Sequence, residues 1–174
     1  GVSDPQLFPT VDTMITQNLL SSFSCAHLAS QHLTPDGLLV LTGAAAIKAG
    51  GCSSGMVAYA AAKAGVHELI AALAEEGSDL GENRTVIGLL PNVIDTPANR
   101  KAMPDADHGT WTRPEVFAKA ILHWGLGALE ASEKVPALVH GHMYQFKTLK
   151  SGGSIADYID DVETAYRYTP PPKP

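Results

Sequence analysis

The chain has 174 residues, 45 % of them hydrophobic and 17 % charged, a balance that suits one globular domain with a sizeable core rather than a disordered segment. Its formal net charge of -6 and lack of any basic run argue against a nucleic-acid or anionic-membrane partner, since phosphate neutralisation needs clustered Lys and Arg. Its apolar stretches are too short to span a bilayer, and Cys25 and Cys52 make no disulfide framework, so a reducing, cytoplasmic setting is expected.

In chain order, residues 2–9 read as a loop punctuated by Pro5 and Pro9. Thr10 or Asp12 is a candidate cap for a helix over 12–33, in which Ile15, Leu19, Ser22, Ala26 and Ala29 recur at helical spacing. Its small residues would allow close packing on another helix. Thr34-Pro35-Asp36-Gly37 is a turn signal, and the apolar run 38–42 reads as a strand covered on both faces. A small-residue loop is expected over 43–55, then an Ala-rich helix over 56–76 that stops near Gly77. Residues 85–90 read as a second buried strand and 91–107 as polar and irregular. Thr112 is a candidate cap for a helix with Pro114 in its first turn, running to about Trp124. A third strand is expected over 135–139. Ser154 can cap a short helix with Ile155, Tyr158, Ile159 and Val162 inward, and the Pro-rich residues 170–174 read as a loose tail. The alternation of helices with strands predicts a parallel α/β sheet, with residues 1–150 as the main unit and 151–174 as an extension. Three strands fall short of a usual sheet, so more sheet is expected to belong to the fold than these residues provide.

Tyr59 and Lys63 stand four apart on the second predicted helix and so share a face. An ammonium beside a phenol favours the phenolate, which prepares the tyrosine to give or take a proton. The same pair on a solvated surface would do nothing. Its placement after a buried strand and a small-residue loop puts it near the carboxyl ends of the strands, where open α/β sheets bind ligands. About thirty residues later a second strand ends in Pro91-Asn92-Val93-Ile94-Asp95-Thr96-Pro97.

This arrangement resembles the short-chain dehydrogenase/reductase family. The resemblance implies a partial Rossmann-like, doubly wound parallel sheet. It implies that Tyr59 exchanges a proton with substrate, that Lys63 holds the nicotinamide ribose and tunes Tyr59, and that Asn18 holds a water in the proton relay. Pro91, the Val93 backbone and Thr96 would meet the nicotinamide carboxamide. Ala46 stands where the family's serine is expected, thirteen residues before the tyrosine. Without that donor to a carbonyl oxygen, an ordinary ketoreductase is disfavoured. The dihydropteridine reductase branch lacks the serine. The segments Gly55-Met56-Val57-Ala58-Tyr59, Asp95-Thr96-Pro97, Asn99-Arg100-Lys101, Met103-Pro104-Asp105-Ala106-Asp107 and Trp111-Thr112 resemble that branch.

That likeness implies NADH-dependent (NADPH being the other option) reduction of quinonoid dihydropterin to the tetrahydropterin, as in tetrahydrobiopterin recycling. It also implies a homodimer through the two long helices. The alternatives are an inactive remnant serving as a dimerisation module and a general carbonyl reductase. Asn92 replaces the family's usual Gly, and residues 144–174 have no counterpart. No G-x-x-x-G-x-G or G-x-G-x-x-G opens a helix, and the Gly-rich residues 50–55 precede the tyrosine, the wrong place for phosphate binding. The dinucleotide-phosphate half is therefore expected to be missing from this chain. Of the histidines, His140 and His142 alternate on a possible strand and could share a metal, but no third ligand supports them and no metal site is expected. Trp111 and Trp124 read as core anchors.

Overall fold

The computed structural model describes residues 1–48, 54–127 and 137–146, and the backbone of 162–166. The chain opens with a long helix built from three consecutive stretches: α1 (Leu7–Met14), a π-helical stretch Ile15–Leu20, and α2 (Ser21–His32). It begins before the predicted residue 12, because Pro9 lies in the first turn, where its missing N–H costs no helical hydrogen bond. Neither Thr10 nor Asp12 caps it. The N-cap is Gln6, whose N–H is taken by Asp4 Oδ1 at 2.8 Å. The Thr34–Gly37 turn is closed by Gly37 N–H to Thr34 O at 3.0 Å, with Asp36 at φ 61 in the position where a type II turn requires it.

Strands β1 (Leu38–Thr42) and β2 (Thr85–Leu90) occupy the expected residues and pair in parallel, from Leu38 with Thr85 to Thr42 with Leu89. Between them come a short helix, α3 (Ala45–Lys48), inside the expected loop, and α4 (Val57–Leu73). Residues 49–53, which include most of the Gly-rich stretch, lie outside the described residues. After β2, the stretch expected to be irregular contains α5 (Pro97–Ala102). Helix α6 (Pro114–Gly125) follows, with Arg113 at its N-cap instead of Thr112. Thr112 is buried and its backbone is committed elsewhere, bridging Val93 and Asp95 at 3.0 and 2.8 Å.

The third strand is displaced from its expected place. Residues 137–139 form no strand, and Gly141 at φ 76 turns the chain into β3 (Met143–Phe146), parallel to β2. His140 and His142 therefore precede the strand instead of alternating along it, and His140 Nδ1 accepts from Val86 N–H at 3.2 Å. A fourth strand, β4 (Val162–Tyr166), pairs antiparallel with β3 and gives the order β1-β2-β3-β4. Val162 is thus in a strand, not on a helix. The rest of the predicted Ser154 helix and the 170–174 tail lie outside the described residues.

The period-2 alternation of the strands divides the core. Leu39, Leu41, Val86, Leu90 and Met143 pack with Ala26, Ala29, Val66 and Ile70 from the two long helices. Ile87, Leu89, Tyr144 and Phe146 face Val116, Phe117, Ala120 and Trp124 on the α6 side. Gly88 lies at the centre of β2. A Cβ there would come within 2.9 Å of both Ile70 Cδ1 and Met143 Cγ, so its absence lets α4 approach the sheet closely. Tyr144 and Phe146, which the sequence reading left without a counterpart, are both fully buried. The Tyr144 hydroxyl donates to Ala137 O at 2.9 Å and accepts from Val139 N–H at 2.8 Å, pinning the turn before β3.

Removing that hydroxyl leaves a partly buried N–H and C=O without it. Tyr144→Phe is expected to lose about 1–3 kcal/mol of stability, read as a lower urea midpoint at unchanged slope.

Candidate active site

The parallel strands β1 and β2 end side by side, and the chain leaves both at the same edge. Two backbone hydrogen bonds hold the exits together: Gly43 N–H to Leu89 O at 2.8 Å and Ala45 N–H to Pro91 O at 3.0 Å. Helix α4 starts above this edge with Tyr59 in its first turn, half-buried, and Lys63 one turn on, 8 % exposed. Lys63 Nζ lies 6.0 Å from the centre of the Tyr59 ring and donates to Thr42 O at 2.7 Å. Burial lowers the Lys63 pKa below its ordinary value, because the charged form is poorly solvated.

Asn18 comes to the same place from the first long helix. It sits in the π-helical stretch, its Nδ2 donating to Met14 O at 3.1 Å and its backbone O accepting from Ser22 Oγ at 2.7 Å. Asn18, Thr42 and Lys63 line one cavity of about 260 Å³, with Gln17, Ser22 and Cys25. A π-helical turn adds a residue to the helical repeat and is frequent at functional sites. Nothing in the apolar periodicity of the sequence announces it.

Pro91 is buried, and Val93 and Thr96 are half-buried on the loop after β2. The loop is shaped from within. Val93 O accepts from Thr112 N–H at 3.0 Å, and Thr96 Oγ1 caps α5 by accepting from Asn99 N–H at 3.2 Å, leaving its own hydroxyl proton to donate elsewhere. Asn99 Nδ2 returns to Ile94 O at 2.8 Å. Asn92, in place of the expected Gly, exchanges a contact with Gln145 at 3.3 Å. Asp95 is clasped by Arg100 through two hydrogen bonds of 2.5 and 2.8 Å. Ala46 is exposed in α3 and brings no hydroxyl to the site. Trp111 and Trp124 are both buried, as expected of core anchors.

A Tyr and a Lys on one helical face and a capped loop after the next strand thus meet at one edge of the sheet. A family model for short chain dehydrogenases matches residues 6–107. The chain belongs to the short-chain dehydrogenase/reductase family. It is 38 % identical over 148 residues to the dihydropteridine reductase of Dictyostelium discoideum, a match that covers 85 % of this chain and 61 % of that protein. The chain thus spans about three-fifths of that relative's length. Among solved structures its fold is similar to BdcA in complex with NADPH (TM-score 0.59, 24 % identity, 78 % of this chain and 54 % of that one). It is also similar to a hydroxysteroid dehydrogenase from Escherichia coli (TM-score 0.55, 22 % identity, 84 % and 59 %). Both support the fold, and the partial Rossmann-like sheet expected from the sequence is the one observed. Among the described residues, no helix is long and apolar enough to cross a membrane, and no group of three His, Cys, Asp or Glu side chains could hold a metal ion.

The Asp95–Arg100 clasp has a pH signature. The Arg100 hydrogen bond holds the Asp95 carboxyl below the usual carboxylate range. The clasp is therefore present above the unfolded carboxyl's value and is lost as pH falls through the lowered one. Carboxyl-detected NMR titration should find Asp95 depressed in the protein and back in the ordinary range in Arg100→Gln.

Proposed function

We propose that this chain provides the proton-handling and nicotinamide-facing part of a dihydropteridine reductase, with residues 151–174 as a C-terminal extension, acting in the cytoplasm on quinonoid dihydropterin. The observation that carries the reading is the Tyr59–Lys63 pair at the β1 edge, together with the 38 % likeness to a dihydropteridine reductase. The residues present suit a nicotinamide cofactor. An ammonium has three donors, and Lys63 spends one on Thr42 O, leaving others for ribose hydroxyls at the cavity it lines. Thr96 keeps a donor proton, and Pro91 and Val93 shape the loop on which a carboxamide would rest. NADH, with NADPH the other option, would supply the hydride. Tyr59 delivers the proton to a ring nitrogen of the pterin, Lys63 stabilises the phenolate that results, and Asn18 orients a water that returns the proton. Hydride addition to a conjugated carbon–nitrogen system forms no alkoxide, which agrees with Ala46 in place of a hydroxyl donor and weighs against a general carbonyl reductase.

The test is oxidation of NADH, then NADPH, driven by quinonoid dihydropterin. Tyr59→Phe is expected to lower kcat by about 100-fold or more, the range for loss of a positioned acid. Normal turnover in that variant would remove Tyr59 from the reaction, and ketone reduction by the unaltered protein would restore the carbonyl-reductase reading.

A second reading, dimerisation through the long helices, has its own observation. Ser22, Ala26 and Ala29 are consumed within the core, but Leu20, Phe23 and Leu28 are 55, 49 and 56 % exposed, and Ala61, Ala64 and Ala72 are exposed on α4. An apolar helix face of this kind stabilises a partner contact when covered. Sedimentation should give a dimer that Phe23→Glu with Leu28→Glu converts to monomer; a wild-type monomer at high concentration rules the module out.

A further inference from the structure

Helix α4 carries a third polar side chain on the face of Tyr59 and Lys63. His67 follows Lys63 by one turn, half-buried, and its Nε2 accepts from Ala44 N–H at 3.1 Å. The chain leaving β1 alternates as a strand does. The amides of Gly43 and Ala45 turn to β2, so that of Ala44 turns away from it. Ala44 is 4 % exposed, and an amide there needs a partner from the protein. His67 is that partner. Lys63 takes Thr42 O and His67 takes Ala44 N–H, so α4 grips the strand exit on both sides of Gly43. Gly43 has no room for a side chain, since a Cβ would fall on the imidazole and against Leu90.

We propose that His67 is a positioning residue of the site: by holding Ala44 it fixes the carbonyl of Thr42 that orients Lys63, and it sets the course of the chain from Gly43 into α3. This rests on the reading of Tyr59 and Lys63 as the reacting pair. An Nε2 that accepts must carry its proton on Nδ1, so the geometry also fixes the tautomer. Protonation would aim an N–H at an N–H and set a second positive charge beside Lys63. Burial and the Lys63 charge both lower the His67 pKa, which keeps the ring in the accepting form near neutral pH. Gly43 and Ala44, which the described residues set against the ring, have no ionisable side chain.

The experiment pairs NMR with kinetics on the protein and two variants. His67→Gln keeps an acceptor oxygen and His67→Leu does not. Long-range nitrogen–proton spectra should show His67 as the Nδ1–H tautomer, titrating below the ordinary histidine value. Exchange of the Ala44 amide should quicken roughly tenfold in His67→Leu and stay near wild type in His67→Gln, while the Val86 amide, bonded to His140, is unchanged in both. In the wild type, Ala44 protection should fall as the pH drops through the His67 titration; in His67→Gln it should not. An Nε2–H tautomer, or an Ala44 amide equally protected in His67→Leu, overturns the proposal. If the protein reduces quinonoid dihydropterin, kcat should fall in His67→Leu and recover in His67→Gln, and equal kcat in all three overturns the link to Lys63. If no turnover is found in the wild type, the reductase reading fails while the NMR arms still decide the role of His67.

Discussion

A buried ammonium is costly unless something holds it, and the hydrogen bond from Lys63 to Thr42 O is what makes its place tenable. That bond ties the first turns of α4 to the end of β1. It exists because β1 ends in a carbonyl that neither β2 nor the following turn consumes. The close approach it needs depends in turn on Gly88, which lets α4 settle onto the sheet, and on Ala58 and Ala62, buried on the same helix face. The residues that let the helix come close are therefore also those that bring the ammonium to the end of β1.

The two strands that define the site were legible because each is an unbroken apolar run between turn signals, and they appear at the residues expected. The Tyr59–Lys63 pairing was legible from helical spacing, and its significance came from the strand before it. The misplaced third strand has a physical reason. Ala137, Leu138 and Val139 continue an apolar run, but the Tyr144 hydroxyl and Gly141 convert it into a turn, and β3 follows. Periodicity carries no information about such a turn, because a side-chain hydrogen bond from a residue five to seven positions further on decides it.

Helix α5 was missed although Thr96 and Pro97 signal it, a capping hydroxyl followed by Pro in the first helical position. With no buried residue in α5, apolar spacing could not reveal it. The role of His67 was hidden for another reason. Its place on the face of Lys63 could be counted along the helix, but its partner is a backbone amide twenty-three residues earlier, and a sequence does not display which amides lack a strand.

The π-helical stretch Ile15–Leu20 also bears on how this chain can change over time. Such a stretch accommodates one residue more than a regular helix would. Deleting a single residue there would return the helix to regular winding and leave the segments before and after it close to their present relative orientation, whereas the same deletion in a regular helix would rotate one against the other by about 100°. Only the stretch itself would rewind, and it holds Leu19, packed beside α4, and Asn18, which lines the cavity with Lys63. Most helices absorb single-residue length changes at their ends; this one can absorb a change in its middle, beside the cavity, while the faces it turns to the core on either side stay in place.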